Sequence, residues 1–122
     1  MIYCLSKNKY ILNIDSEDIR MVNAEVEEWL PYDNGALKNG QGQVNTIKNG
    51  IVVYIGEKDD CGSAIIIEQT DGVNACYCNV AESNVSIYSY VQTNEIIGTY
   101  DGKLYITFSK DGEYLDYKNY IK

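Results

Sequence analysis

The fold of this chain is decided by residues 51–80, which read IVVYIGEKDDCGSAIIIEQTDGVNACYCNV. Three apolar runs rich in β-branched residues alternate with short polar segments, a pattern typical of strands joined by tight turns. The Asp71-Gly72 step is a strong hairpin signal, because both residues tolerate the positive φ of a type I′ turn. The stretch therefore predicts consecutive antiparallel strands.

The same pattern extends in both directions, with Asn49-Gly50 before the stretch and Asp101-Gly102 and Asp111-Gly112 after it. We therefore expect a mainly β protein, built as an antiparallel β-sheet or β-sandwich. The charged run at residues 57–60 fits a hairpin tip, with a docking patch as the alternative. The predicted strands cover residues 44–47, 51–56, 63–69, 73–80, 84–91, 95–100, 103–109 and 113–121.

The N-terminal third has a different pattern. Residues 2–14 predict a short hairpin, and apolar residues at helical spacing predict a helix over residues 16–29, although part of that segment also alternates as a strand would. Residues 31–43 are rich in Gly and Asn and predict a loop. We expect one compact domain, in which residues 1–43 form a short helical or mixed α/β element and residues 44–122 form the β domain.

Composition excludes several classes of function. The 122-residue chain carries 18 acidic and 10 basic residues, a net charge of -8. Nucleic-acid binding needs a basic surface to neutralise phosphates, so we expect no nucleic-acid partner. No apolar run approaches the roughly 20 residues that span a bilayer, and the N-terminus lacks the apolar core of a signal peptide.

The four cysteines are Cys4, Cys61, Cys76 and Cys78, and they form no CxxC pair. The favoured interpretation is that they pack as buried free thiols. A zinc site formed by the last three is less favoured, because their spacing matches no standard ligand pattern. A cysteine nucleophile at position 76 or 78 is also disfavoured, since the chain has no histidine to act as its base.

The order of motifs from residue 44 onward resembles the lysostaphin-like (LytM) zinc endopeptidases, whose fold is the duplicated hybrid motif. No single step is specific, but the series runs in the same order as in that family. The matching segments are residues 44–52, 61–67, 71–72, 77–80, 91–98, 104–108 and 111–121.

The same resemblance implies that catalysis has been lost. The family's His-x-His positions fall on Lys103 and Tyr105, and its Tyr-Ala-His histidine falls on Asn79. Residues 30–43 offer only Asp33 as an oxygen ligand. Zinc needs imidazole, thiolate or carboxylate ligands, so we expect a degenerate domain that is not an enzyme and has no catalytic residue, metal or other cofactor.

Residues 84–98, NVSIYSYVQTNEIIG, are similar to the non-catalytic LytM domain of stage IV sporulation protein FA. That resemblance implies a regulatory module on the extracytoplasmic face of a bacterial membrane, in the forespore envelope of a Gram-positive sporulating cell. It would be tethered by a segment absent from this chain and would hold an intramembrane metalloprotease inactive. The groove positions expected to bind the protein partner are Asn79, Lys103, Tyr105 and Tyr77.

A second hypothesis is a non-catalytic domain that binds cell-wall peptidoglycan or activates a cell-wall hydrolase. Tyr77, Tyr88 and Tyr105 would then stack on sugar rings. Tyrosines are also common in strands simply because they pack across a sheet, so this hypothesis rests on weaker grounds.

Overall fold

The computed structural model describes residues 29–121. These residues form eight strands and one short 3₁₀ helix at Tyr117–Asn119. None of the described helices is long and apolar enough to cross a membrane. The strands are β1 (Leu30–Tyr32), β2 (Gly35–Asn45), β3 (Gly50–Lys58), β4 (Gly62–Gln69), β5 (Asn74–Ser83), β6 (Tyr90–Val91), β7 (Ile96–Lys110) and β8 (Glu113–Tyr114).

All eight strands belong to one sheet, in the order β1-β2-β7-β5-β4-β3-β6, with β8 paired to β7. Every pairing is antiparallel. The prediction of a mainly β, antiparallel fold is therefore confirmed. Strand β5 lies in the middle of the sheet, between β4 and β7, and this central position fixes the surroundings of its side chains.

The core lies on one face of the sheet, which we call the inner face. Side chains alternate between the two faces of a strand, so every second residue of the central strands is fully buried. The inner-face residues include Ile65 and Ile67 of β4, Ala75 and Tyr77 of β5, and Leu104, Ile106 and Phe108 of β7. Residues between them, such as Ile66, Cys76 and Thr107, point to the outer face, where a hollow is lined by their side chains.

The predicted loop at residues 31–43 is wrong, because this segment forms β1 and most of β2. Strand β2 pairs with β7 along its whole length, from Gly35 opposite Thr107 to Asn45 opposite Ile96. Residue propensities underestimate the chance that such a segment forms a strand. A long neighbouring strand satisfies its backbone hydrogen bonds whichever side chains it carries. The predicted helix at 16–29 and the hairpin at 2–14 lie outside the described residues, apart from Trp29, which is not helical.

The Asp101-Gly102 step is not a turn, contrary to the prediction, and lies within the continuous strand β7. Gly102 has φ 104° and faces Gly40 of β2, which has φ 124°. Both φ values are readily adopted only by glycine. The two glycines therefore allow β2 and β7 to stay paired where the backbone departs from regular strand geometry. The Asp71-Gly72 turn is confirmed, as is the Asp111-Gly112 turn, where both residues have positive φ.

Two predicted strands are much shorter in the structure. Only Tyr90–Val91 of the segment 84–91 is a strand, because the chain turns at Ile87 and Tyr88, both of which are exposed. Residues 113–121 form only the two-residue strand β8 and then the 3₁₀ helix, whose first turn is capped by the Asp116 carboxylate. In both segments, the alternation of apolar residues predicted a longer strand than the structure contains. Their tyrosines lie instead at the surface or at the periphery of the core.

Two irregularities in the ladder matter for the rest of the molecule. Strand β3 carries a bulge between Val52 and Tyr54, opposite β4. Strand β5 carries another between Cys78 and Val80, opposite β7, so that Asn79 has no partner in the β5–β7 register. Bulges redirect side chains and often lie next to functional sites, and the second one positions the residues described next.

Candidate functional site

A groove on the outer face of the sheet lies over the start of β4 and the middle of both β5 and β7. Its lining includes the side chains that the sequence singled out at positions 79, 103 and 105, together with residues of the β3–β4 hairpin tip and of β1. The lining residues on which its chemistry depends are Tyr32, Asp60, Cys61, Asn79, Lys103 and Tyr105.

Asn79 lies at the bulge of β5 with φ 68°. Asparagine adopts this left-handed conformation more readily than most residues, so the local backbone favours it here. Its Nδ2 donates a hydrogen bond of 2.7 Å to the carbonyl oxygen of Lys103. Its backbone N–H donates to the carbonyl of Cys61 at 3.0 Å. Asn79 thus joins three segments of the groove wall, and its side-chain donor is already engaged.

Tyr105 follows Lys103 by two residues on β7, so both side chains lie on the outer face. The Tyr105 ring packs edge-on against the ring of Tyr32 from β1, with 5.4 Å between ring centroids. Its hydroxyl oxygen accepts a hydrogen bond of 3.3 Å from the backbone N–H of Asn34. Partial burial raises the pKa of Tyr105, and the nearby Asp33 carboxylate adds to that effect, whereas the Asn34 hydrogen bond opposes it. The phenol is therefore neutral at physiological pH.

Tyr77 is not part of the groove. Its side chain points to the inner face and is fully buried, and its hydroxyl oxygen accepts a 3.0 Å hydrogen bond from the N–H of Ile47. Burial raises its pKa well above the ordinary value. It offers no ring face to a ligand, because the alternation of β5 places residues 75 and 77 opposite to 76 and 78. Tyr88 is 74% exposed but lies in the turn before β6, away from the groove lining.

Three of the four cysteines meet on the outer face beside the groove. Cys61 and Cys78 form a disulfide with 5.0 Å between their Cα atoms, so the interpretation of all cysteines as free thiols is wrong. The hairpin β3–β4 places Cys61 next to the middle of β5, a contact between residues 17 apart that spacing does not reveal. Cys76 is free and half-buried. Cys4 lies outside the described residues.

The hairpin tip between β3 and β4 forms one wall of the groove. The chain turns at residues 59–61, which confirms the prediction that the charged run is a hairpin tip. Asp60 has φ 63° and lines the groove, whereas the Glu57 carboxylate accepts a 2.8 Å hydrogen bond from the Ser63 hydroxyl. One carboxylate of the acidic run therefore faces the groove.

The family model for peptidase family M23 matches residues 34–120, which is most of the chain. The chain belongs to peptidase family M23. No curated protein sequence matches this M23 domain significantly.

Solved structures place the M23 domain among lysostaphin-like folds. The catalytic domain of lysostaphin from Staphylococcus simulans is 22% identical, with a TM-score of 0.60, over 66% of this chain and 69% of that domain. The chain spans only 42% and 44% of two longer lysostaphin structures. At such identities the likeness establishes the LytM-type fold.

Two other neighbours come from different systems. The SpoIIQ–SpoIIIAH pore-forming complex contains a chain that is 20% identical, with a TM-score of 0.65, over 73% of this chain and 65% of that one. Csd3 from Helicobacter pylori is 18% identical, with a TM-score of 0.65, over 73% of this chain and 26% of its own. The fold therefore occurs both in peptidases and in a protein that assembles with another protein.

Within residues 29–121, the groove does not provide ligands that fit the zinc ion of the peptidases. Zinc in a catalytic site takes three nitrogen, oxygen or sulfur ligands and one water. The groove offers the Asn79 amide, whose nitrogen already donates a hydrogen bond, the Lys103 ammonium and the neutral Tyr105 phenol. Its one carboxylate is that of Asp60. Its two sulfurs are joined in the disulfide. Asp33, the other oxygen ligand considered, lies in the β1–β2 turn outside the groove lining.

Asn79, Lys103 and Tyr105 are groove residues as predicted, and the structure adds Tyr32, Asp60 and Cys61. Tyr32 was not expected there because residues 31–43 were predicted as a loop. Asp60 was predicted only as part of the charged run at 57–60, and Cys61 only as a less favoured zinc ligand. The signal that was available for Cys61 is its place next to Gly62, at the tip of a predicted hairpin whose second strand pairs with residues 73–80. A cysteine at such a tip can reach the neighbouring strand.

Proposed function

We propose that this M23 domain is a non-catalytic interaction module whose groove binds a segment of a protein partner. The observation that carries the proposal is the hydrogen bond from Asn79 to the Lys103 carbonyl, together with the Lys103 and Tyr105 side chains in the same groove. The groove is kept, but none of these three side chains provides what hydrolysis requires.

Hydrolysis of a peptide bond in this fold needs an activated water and a proton acceptor. An asparagine amide has no basic nitrogen, and a protonated lysine or a neutral tyrosine cannot take a proton. A cation at position 103 also disfavours a second cation beside it. The groove is thus suited to holding a ligand rather than to cleaving it.

The regulatory form of the proposal specifies the partner more closely. The domain would lie on the extracytoplasmic face of a bacterial membrane, in the forespore envelope, and would hold an intramembrane metalloprotease inactive during sporulation. Support comes from the resemblance of residues 84–98 to a sporulation protein and from SpoIIQ, a protein of the same fold that forms a complex with SpoIIIAH. The disulfide supports an oxidising compartment, because such bonds are rare in the cytosol.

A second candidate function is binding of cell-wall peptidoglycan, or activation of a hydrolase that acts on it. The observation that favours it is the pair Tyr32 and Tyr105, since Tyr32 is 51% exposed at the groove and aromatic faces can pack against sugar rings. The groove residues would be the same, so the ligand rather than the site distinguishes the two functions.

Three measurements on the purified oxidised protein test the proposal. We expect no bound zinc and no release of stem peptides from purified peptidoglycan, and a stoichiometric zinc ion or released peptides would refute the non-catalytic reading. Sedimentation with peptidoglycan separates the two candidates, because retention favours the cell-wall function.

Partner binding is tested with matched variants. Membrane proteins captured by the wild-type domain should be lost with Lys103→Gln and with Tyr105→Ala. They should be retained with Lys110→Gln, which removes the same charge near the far end of β7. Equal loss with both lysine variants would mean that general charge, and not the groove, is responsible for capture.

A further inference from the structure

The three cysteines beside the groove form a compact sulfur cluster. The Sγ atoms of Cys61, Cys76 and Cys78 all lie within 4.8 Å of one another, and this is the only such group of potential metal ligands within residues 29–121. The Cys76 sulfur is 3.7 Å from that of Cys78 and 4.0 Å from that of Cys61. A third sulfur therefore touches both halves of the disulfide.

These separations match the dimensions of a thiolate metal site. Zinc–sulfur bonds are about 2.3 Å long, so two thiolates in a tetrahedral site lie about 3.8 Å apart. Two of the three sulfur pairs already have this spacing. The sulfurs of the third pair, Cys61 and Cys78, are bonded to each other and can reach this spacing only after the disulfide is reduced.

The backbone holds all three cysteines in place without the disulfide. Cys76 and Cys78 lie on the same face of the central strand β5, which pairs with both β4 and β7. Cys61 is fixed by the hydrogen bond of its carbonyl to the Asn79 N–H and by its own N–H, which donates to Lys58 at 3.2 Å. The cluster therefore needs little rearrangement to form a site, and preorganised ligands favour metal binding.

The surroundings supply charge and water. Lys58 lines the same hollow as Cys76, and its ammonium offsets part of the negative charge that three thiolates bring. Cys61 and Cys78 line the groove, which opens to solvent on the other side of the cluster. Water from the groove can take the fourth position around a tetrahedral ion.

We propose that the reduced domain binds one zinc ion through Cys61, Cys76 and Cys78. A dithiol reductant supplies two electrons and two protons, which convert the Cys61–Cys78 disulfide into two thiols while the reductant becomes a disulfide. Zinc then displaces the three thiol protons and forms three zinc–sulfur bonds. The oxidised and metal-bound states exclude each other, so the thiol redox state of the compartment selects between them.

Cys61 and Cys78 also line the groove, but the three sulfur ligands are distinct from the side chains that carry the proposed function. The cysteine site uses none of Asn79, Lys103 and Tyr105. A domain could carry the cysteine site whether its groove binds a protein or peptidoglycan, and it could act as a regulator without the cysteine site.

The test uses the full chain with Cys4→Ser, so that the remaining cysteine cannot contribute a sulfur. The protein is reduced with a phosphine under nitrogen, desalted and titrated with Zn²⁺ against a chromogenic chelator. Co²⁺ is used in parallel, because thiolate-to-cobalt absorption reports sulfur ligands directly. We expect one zinc per reduced chain, none per oxidised chain, and at least tenfold weaker binding after Cys76→Ser.

Cys76→Ser is the informative variant because it leaves the Cys61–Cys78 disulfide intact, so its fold can be verified in the oxidised state. As a second measurement, zinc should protect all three cysteines of the reduced Cys4→Ser chain from alkylation. A reduced chain that retains no zinc, or that binds it equally well with Cys76→Ser, overturns this proposal. Zinc bound to the oxidised chain would instead contradict the proposed non-catalytic function.

Discussion

The side-chain amide of Asn79 donates a 2.7 Å hydrogen bond to the backbone carbonyl of Lys103. The bond spans the bulge at which β5 and β7 lose their register. It therefore has a structural purpose that is independent of any ligand, and it uses the side chain that the family resemblance aligns with a catalytic histidine.

Replacing Asn79 should affect stability rather than activity. Asn79→Ala loses the bond to Lys103 and forces an alanine to φ 68°, so we expect a loss of about 1–2 kcal/mol in the free energy of unfolding. Asn79→Gly should lose less, because glycine tolerates this φ. Urea denaturation measures both, and equal losses would show that backbone strain is not involved. Under the proposed non-catalytic function, Asn79→His should not create peptidoglycan cleavage, because Lys103 and Tyr105 are unchanged.

Gly62 begins β4 with φ 76°. A β-branched residue is strongly disfavoured there, so Gly62→Val should lower the free energy of unfolding by about 1–2 kcal/mol and the melting temperature by several degrees. Gly62→Asn is the matched control, since asparagine enters this region more easily and should cost less. An unchanged melting temperature for the valine variant would contradict the backbone described here.

Asp71 should make stability depend on pH in the acid range. Burial by itself raises the pKa of Asp71, but hydrogen bonds from Gln69 and from the Val73 N–H and the charge of Lys48 outweigh it, so the net pKa is lowered. A lowered folded-state pKa stabilises the protein above the unfolded-state pKa, and this contribution is lost as pH falls through the folded-state value.

Asp71→Asn should therefore destabilise the protein by roughly 0.5–1 kcal/mol at pH 7 and by progressively less below pH 4. The other charged groups at this turn are Lys48, whose ammonium lies 3.6 Å from the Asp71 carboxylate, and Lys110, which donates to the Asp71 carbonyl. Urea midpoints of both proteins across pH 2.5–7 measure the difference. A difference that stays constant with pH would rule out the carboxylate's charge as the cause.

Tyr77 should make stability depend on pH in the alkaline range. Burial raises its pKa above the ordinary value of 10.0, so the unfolded chain releases this proton first. Stability is unaffected below pH 10 and is lost as pH rises beyond it. Tyr77→Phe should reduce that alkaline loss while costing about 1 kcal/mol at pH 7, because the Ile47 N–H loses its acceptor. Tyr88→Phe, at an exposed position, should leave the stability at pH 7 unchanged.

The Cys61–Cys78 disulfide should contribute measurably to stability. It links residues 17 apart, and closing a loop of that length in the unfolded chain corresponds to about 3 kcal/mol in the chain-entropy model. We expect the Cys61→Ala, Cys78→Ala double variant to lose about 2–3 kcal/mol. A reductant should lower the urea midpoint of the wild type but not that of the double variant. Equal sensitivity of the two proteins would contradict the pairing.

Local chemistry in the sequence was enough to predict the central sheet. The turns at Asp71-Gly72 and Asp111-Gly112 depend on residues that accept positive φ, and the runs around Ile65 and Tyr77 depend on alternation and burial. These signals act over a few residues, so a sequence reports them directly. The placement of Asn79, Lys103 and Tyr105 in one groove came from the family's order of motifs.

Features that depend on distant partners were not predictable. Strand β2 exists because β7 pairs with it, although residues 38–43 have a composition typical of loops. The disulfide exists because a hairpin tip reaches the middle of the central strand β5. Tyr77 points to the inner face and Cys78 to the outer face because of the strand register. An error of one residue in the predicted alternation would exchange these two faces.

The bulge between Val52 and Tyr54 has a consequence for how another chain can approach. In the described part of the molecule, β6 pairs with β3 only at Gly50 and Ile51, which leaves residues 53–58 without a strand on that side. A flat strand with an unpaired edge can aggregate through its free backbone groups. In β3, however, a bulge increases the local twist, and the charged residues Glu57 and Lys58 follow it. We therefore expect recognition to proceed through side chains on the outer face, with this edge of the sheet protected against strand addition and fibril growth.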